Sequence, residues 1–472
     1  MKLKQLIRLS VALPALSLVA CQMLGPDYFR PKQALPASYQ EAQATDAAAT
    51  ISNQWWTLYN DEVLNDLISK ASKNNTDLKI AVARIEEADG YMREVGAALF
   101  PQVNVDSSAS RYKVTELGAT PLFNGMSPTR SNYNVKLSTT FELDFWGKLR
   151  RAQESAKAQA LASRFAKDTV DLSLKSLVTG DYLLLRSLEA QIEISKANMK
   201  SREDSLALTQ RRLEGGVSSA LDVHQAEVAY NNLKAQLADL TRQRAIIAHQ
   251  LAVLTGDLDL KIAAGDIKSL PVPPVPPVGL PSTLLEARPD VRQAEQNLIA
   301  ANAKIGVAKA ALFPTISLTA GFGGESKDLG DVLKSAARIW NGGLSLNLPV
   351  FDSGRLSSKV DQASAAQKQL LGSYERAVQN AFTEVNDALV NVRQNTERET
   401  ALNASQSSAS KALEIANNRY KSGYTGYLEV LDAQRVFNDA SLAYVQSRQA
   451  RLTSTVELFK ALGGGWVAVA VK

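Results

Sequence analysis

Between Asn132 and Leu254 the hydrophobic pattern of the chain changes its period once. Tyr133, Val135, Leu137, Phe141, Leu143 and Phe145 fall on one parity, and Asn134, Lys136, Ser138, Thr140, Glu142 and Asp144 on the other. That period of two predicts a strand with one apolar and one polar face. After Gly147 the apolar residues recur every seven positions instead, at Val170, Leu177 and Leu184, then at Ile192, Met199, Leu206 and Leu213. Lys148 to Glu214 contains no proline and a single glycine, Gly180, so one helix of about 65 residues is expected, roughly 100 Å long at 1.5 Å per residue. Gly215-Gly216 stops it, and a second helix is predicted from about Ser219 to Leu254. No compact domain needs a hairpin of that length. A half-apolar strand feeding it suggests a conduit.

The flanking text is shorter in period. Pro26, Pro31 and Pro36, followed by an Ala/Thr/Gln tract, read as an extended arm. Trp55, Trp56 and Leu58 open a short helix that also carries Val63, Leu64, Leu67 and Ile68, and Asp77 to Leu99 forms a second helix that Pro101 ends. A strand is expected over Val103 to Val114, then a loop carrying Gly118, Pro121, Gly125 and Pro128. Leu270 to Pro281 reads as a polyproline linker.

Past the linker the pattern returns. Ala98-Leu99-Phe100-Pro101 recurs as Ala311-Leu312-Phe313-Pro314, and Gly147-Lys148-Leu149 as Gly354-Arg355-Leu356. Gly216…Leu221-Asp222-Val223 recurs as Gly423…Leu428-Glu429-Val430, and Leu254-Thr255-Gly256 as Ala461-Leu462-Gly463. The last three pairs share one offset, which marks an internal duplication. In the second copy Ile316, Leu318, Ala320 and Phe322 form one alternating strand, and Trp340, Leu344, Leu346, Leu348 and Val350 another. A proline-free helix from Leu356 to Lys421 and a return helix from Leu428 to Leu462 complete it. The organisation expected is a leader over 1–20, an arm and equatorial helix over 21–73, a first repeat over 74–256, a proline-rich linker over 257–286, a second repeat over 287–463 and a tail over 464–472.

Four strands of about 9–11 residues can cross a bilayer when tilted. In lipid every backbone N–H and C=O must be paired, so an open four-stranded sheet is excluded there and the chain must oligomerise to close. Two copies give eight strands and three give twelve; counting does not choose between them. Plentiful Gln, Asn and Ser suit long helices packed side by side around water.

Net charge changes little in this picture. It is +5, and without Lys2, Lys4 and Arg8 of the leader 50 basic residues face 48 acidic ones, so no nucleic-acid partner is indicated. The single cysteine, Cys21, precludes an internal disulfide. It follows a basic stretch and an apolar run, Leu6 to Ala20, too short to span a membrane, and the segment Leu18-Val19-Ala20-Cys21 resembles a bacterial lipoprotein lipobox. The resemblance implies cleavage before Cys21, a diacylglyceryl group on its sulfur, an acyl group on its amine, and, with Gln22 next, export to the outer membrane. His224 and His249 are the only histidines and lie far apart on one helix, and no phosphate-cradling GxxxxGK[ST] occurs. No enzyme, metal site or cofactor beyond that covalent lipid is expected.

Together these residues resemble the outer membrane factor family, the TolC/OprM-like channels and their NodT-type lipoprotein branch. The resemblance rests on the duplicated ALFP-then-strand element, on Arg288-Pro289-Asp290-Val291, on Asn418-Arg419-Tyr420…Gly423, and on Tyr427-Leu428…Leu431-Asp432-Ala433-Gln434-Arg435. It implies a membrane α+β fold: a homotrimer with a twelve-stranded barrel, continued by a periplasmic helical barrel and girdled by a mixed equatorial region. The function implied is the exit duct of a tripartite efflux system, served by a periplasmic adaptor and an inner-membrane transporter. Leu428 and Asp432 match the positions of its constriction, and Arg419, Tyr420 and Arg435 those that link neighbouring hairpins, with Asp222 as an acceptor at the first tip. A protein-secretion (type I) duct and a lipid-anchored periplasmic coiled coil or adaptor without a pore are the alternatives.

Overall fold

The computed structural model describes residues 23–32, 35–39, 53–115, 127–275 and 284–465. The leader, Cys21, the loop residues Gly118, Pro121 and Gly125, the second half of the linker and the tail from 466 lie outside the described residues. A 3-10 turn, Trp55–Tyr59, precedes α1 (Glu62–Asn74) and α2 (Thr76–Ala97). Then come β1 (Gln102–Lys113), β2 (Thr129–Leu143), α3 (Lys148–Glu214) and α4 (Ala220–Thr255). The second copy comprises α5 (Pro289–Ala310), β3 (Thr315–Ser326), β4 (Arg338–Asn347), α6 (Arg355–Lys421) and α7 (Tyr427–Ala461). Both long helices have 67 residues, as duplication requires.

Two details differ from the sequence expectation. Trp55 to Ile68 is not one helix: Asn60 takes a left-handed conformation (φ 51°), and Asp61 starts α1 afresh by accepting from the Val63 and Leu64 amides. The last strand stops at Asn347, because Pro349 has no N–H for a ladder, so Leu348 and Val350 lie beyond it.

The chain divides by contacts into two compact units, and each draws on both copies of the repeat. Described residues of the first fall within Met1–Lys32, Ile85–Ser163 and Ala294–Tyr374, and those of the second within Gln33–Arg84, Arg164–Gln293 and Glu375–Lys472.

The first unit holds one antiparallel sheet in the order β1-β2-β3-β4. Directly paired residues share a face, so the register sorts side chains by chemistry. Val105, Leu137, Phe322 and Trp340 form one row across all four strands. Phe141, Leu318 and Leu344 form another, and Leu143, Ile316 and Leu346 a third. The alternate rows are Asn104-Ser138-Gly321-Asn341 and Glu142-Ser317-Ser345. The apolar face is bare: Trp340 is 82% exposed, Val105 70% and Phe322 60%. Below the strands Trp146 donates to the Pro314 carbonyl (2.8 Å) and packs on Phe313, so the second ALFP segment anchors the junction of β2 and α3.

The second unit holds the dense core. Trp55 stacks on Phe459 (5.3 Å) and the Tyr59 hydroxyl meets Thr455 (2.6 Å). Leu64, Leu67 and Ile68 of α1 pack with Val178, Tyr182 and Leu185 of α3, with Leu251 of α4, with Ile267 and Leu270, and with Leu452 and Val456 of α7. The short segments at residues 55–71 and 267–270 thus gather around the middles of the long helices. Polar clamps fix them. Glu399, buried, accepts from Arg448 (3.0 Å) and Arg451 (2.8 Å), while Arg448 also donates to the Leu270 carbonyl (2.6 Å).

Candidate functional site at the hairpin tips

The two hairpins turn on the same backbone device. Gly216 (φ 71°) and Gly423 (φ 77°) adopt the left-handed conformation that ends each long helix. Val217 N–H bonds back to Arg212 O (2.9 Å), and Tyr424 N–H to Arg419 O (3.0 Å).

Beyond that turn the copies diverge. At the first tip Ser219 caps α4 in a capping box with Asp222, whose carboxylate also accepts from the Ser218 hydroxyl (2.7 Å). These hydrogen bonds, the Ser218 hydroxyl first, hold Asp222 below the usual carboxylate range. Asp222 therefore secures its own turn; the expected acceptor role toward the second hairpin is not seen. At the second tip Gly426 occupies the cap position and offers no side-chain cap. Glu429, at the place of Asp222, instead approaches Arg419 at 3.6 Å, closing the foot of α6 onto the start of α7.

Tyr420 and Tyr427 are the buried centre of this end. Their rings lie 5.8 Å apart, tilted by 57°. Ala226, Ala416 and Val430 surround them, with Leu206 and Leu431 packed alongside. Arg212 of the first hairpin lies over the Tyr420 ring, 4.6 Å from its centroid. Tyr420 thus meets the first hairpin through its ring. Buried Arg202 sits beside Tyr427: burial pushes the phenol up and holds the guanidinium below its usual value.

Leu428 and Asp432, four residues apart, share a face of α7, and both are exposed. Arg435, expected to join neighbouring hairpins, pairs instead along its own helix with Asp432 (2.8 Å) and Asp439 (3.5 Å). Above the tip an uncharged ladder ties α3 to α7: Gln434 to Ser205 (3.2 Å), Asn438 to Asn198 (2.7 Å), Gln446 to Gln191 (3.1 Å). A groove of about 820 Å³ runs between α4 and α7, walled by Leu221, Val228 and Leu428, with Arg202, His224 and Asp432 among its polar lining.

Tyr427, Arg202 and Arg212 were not among the expected site residues. Aligning the copies at their common offset finds the first directly, because Ala220 stands where the second copy has Tyr427.

Among the described residues no helix is long and apolar enough to cross a membrane. The sheet, with its bare apolar face, is the element suited to lipid. The model of the family of outer membrane efflux proteins matches residues 67–257 and 280–464, one block for each copy. The chain belongs to that family. It is 33% identical over 456 residues to the cation efflux system protein CusC of Escherichia coli O6:H1, covering 96% of this chain and 97% of that one. It is 34% identical over 472 residues to the toluene efflux pump outer membrane protein TtgF of Pseudomonas putida, covering 98% and 96%. The outer-membrane channel OprN superposes with a TM-score of 0.87 at 30% identity, covering 94% of this chain and 99% of that one. The open MtrE outer membrane channel of Neisseria gonorrhoeae gives 0.84 at 30%, covering 94% and 98%. The protein is an efflux component of the outer membrane; the pore-less periplasmic reading falls with that membership, and the family is one of ducts rather than catalysts.

Proposed function

We propose that three copies of this chain close into a passive exit duct for small toxic compounds. The observation that carries the reading is the sheet: its rows alternate apolar and polar, while β1 and β4 each have a strand partner on one side only among the described residues. An unpaired edge costs several kcal/mol for every exposed backbone group in hydrocarbon, so β4 of one copy pairs with β1 of the next. Three copies give twelve strands, with Trp340 and Phe322 toward lipid and Asn341 and Ser138 toward the lumen. The hairpins continue the barrel into the periplasm. There a periplasmic adaptor and an inner-membrane transporter engage it, and the transporter supplies the energy.

Lipidation of Cys21 anchors each copy. Leu428 and Asp432, on one exposed face of the second tip, form the constriction, where threefold symmetry gathers three carboxylates of like charge. Arg419 and Tyr420 hold the closed tip by the contacts described above, and Arg435 restrains Asp432. Relatives of nearly equal identity are named for cations and for toluene, so similarity does not select the cargo.

Single-channel recording in planar bilayers tests the duct. Rare, small openings are expected, enlarged by Asp432→Ala; no conductance from either protein overturns it. Deleting the gene should sensitise cells to small toxic compounds, and a deletion that changes no such sensitivity favours a protein-secretion duct instead.

A further inference from the structure

The arm just after Cys21 is not loose. Within the first unit Leu24 N–H bonds to the Trp146 carbonyl (3.1 Å), and the Leu24 carbonyl accepts from Arg151 Nε (3.2 Å). Arg151 Nη2 also holds Asp27 (2.7 Å), while Nη1 pairs with Glu154 (2.8 Å). The Pro26 carbonyl accepts from Asn302 Nδ2 (2.8 Å). Arg30 grips Glu295 with two parallel bonds (2.7 and 2.8 Å), and the Tyr28 hydroxyl adds a third (3.1 Å). The Arg151 and Glu295 side chains are only 3% and 8% exposed, and both draw charged partners from the arm. Backbone meets backbone at Gly25 (φ 97°) and Gly306: a Cβ on Gly306 would lie 2.6 Å from the Leu24 carbonyl and 2.8 Å from Arg151 Cγ.

The slot draws on both copies, Trp146, Gly147 and Arg151 from the first and Glu295, Asn302 and Gly306 from the second. The duplication could have built a twin from the counterpart positions, and it does not. Ser358 stands in for Arg151, Val82 for Glu295, Asp89 for Asn302 and Arg93 for Gly306. Ser358 gives Asp27 no cation at the place of Arg151, and Val82 gives Arg30 no carboxylate at the place of Glu295. The set also puts a long side chain where two glycines must touch.

We propose that Met23–Lys32 is a strap that seats in this one asymmetric slot and thereby fixes the lipid of Cys21 at one of two pseudo-equivalent seams, beside the junction of β2 and α3. Met23 packs against Gly147, and Cys21 precedes it by two residues in the sequence. Acylation, on which the anchoring half of the proposal rests, then holds the foot of the sheet at a set depth as well as tethering the chain. Arg151 and Glu295 act as positioning residues for the anchor.

The test uses the full acylated chain in detergent. Phe29 is exposed and lies between two residues that bind Glu295, and Cys21 is the sole native thiol, consumed by the lipid. A nitroxide on Phe29→Cys should show the slow, backbone-limited motion of an ordered surface site, not the fast isotropic motion of a free arm. Adding Gly306→Ala, a change that favours helix, should shorten the correlation time several-fold with helix content unchanged, and Glu295→Ala should do the same. A label that is mobile in the parent, or that neither substitution frees, overturns the strap. Intact mass of the N-terminal peptide reads the lipid separately: an unmodified Cys21 beside a slow-moving label overturns the anchoring half alone.

Discussion

If the tip closes on aromatic packing between hairpins, truncating Tyr420 should open it, and the structure sets the size. Opening separates the second hairpin from α3 and α4, so the interactions that break are those of Tyr420 with Arg212 and with the neighbourhood of Leu206 and Ala226. The cation–π interaction is worth about 0.5–1 kcal/mol near a surface. Burying a large side chain is worth about 1.5–3 kcal/mol, of which roughly half belongs to the cross-hairpin side, the remainder facing Tyr427 within the same hairpin. The sum is about 1.3–2.5 kcal/mol, or roughly an eight- to seventy-fold rise in the ratio of open to closed tips for Tyr420→Ala. Tyr420→Phe keeps the ring and should stay within about twofold of the parent. Opening frequency in planar bilayers reads both. An alanine variant that opens no more often than the parent, or a phenylalanine variant as leaky as the alanine one, removes the ring from the gate.

Further outcomes follow from the same structure. Trp340→Arg, on the apolar row of β4, should cost up to about 2–4 kcal/mol at bilayer mid-depth and abolish heat-resistant oligomers on gels, whereas Asn341→Arg on the facing row should leave them intact. Gly426→Ser, which leaves Glu429 in place, supplies at the second tip the side-chain cap it lacks, worth about 1 kcal/mol, and should make openings about fivefold rarer; unchanged gating would show that the missing cap is irrelevant to motion. Asp222 is held below the usual carboxylate range when folded, so its stabilisation is full at neutral pH and disappears as pH falls through that lowered value. Limited pepsin digestion should find the first tip more open below the ordinary carboxylate range, and Asp222→Asn should erase that pH step.

Whatever has a period or a breaker is legible in the sequence. Lys148–Glu214 is bounded on both sides by glycine and interrupted by no proline, so the helix ends fall where the sequence puts them. The faces of β2 and β3 follow their alternation, because a one-residue slip would exchange lipid-suited and lumen-suited rows. Side-chain partners are less legible. Asp222 invites a partner on the neighbouring hairpin, although Ser219-x-x-Asp222 spells a capping box, a local signal that competes with any tertiary role. Arg435 invites a partner across hairpins, yet Asp432 three residues earlier on the same helix is within its reach at no cost in chain entropy. The prolines of the arm predict only an extended segment. Its ion pairs join residues more than 120 positions apart, which no window of sequence displays.

Duplication explains where function concentrates. Both copies keep the parts that any stave of the duct must have: equal long helices, left-handed glycines at the turns, alternating strands. The copies differ in side chains along most of their length, and at the tips Leu213, Ala220, Gln225 and Val228 of the first correspond to Tyr420, Tyr427, Asp432 and Arg435 of the second. The same comparison removes the side-chain cap, exchanging Ser219 for Gly426 and Asp222 for Glu429. The first hairpin therefore has a stiff, self-satisfied turn. The second exchanges a local cap for an aromatic pair and a longer Arg419–Glu429 contact that can be remade after movement. A gate of the kind proposed needs one part that stays and one that shifts. Two copies of one stave, alike in frame and unequal in how they close their ends, would supply both.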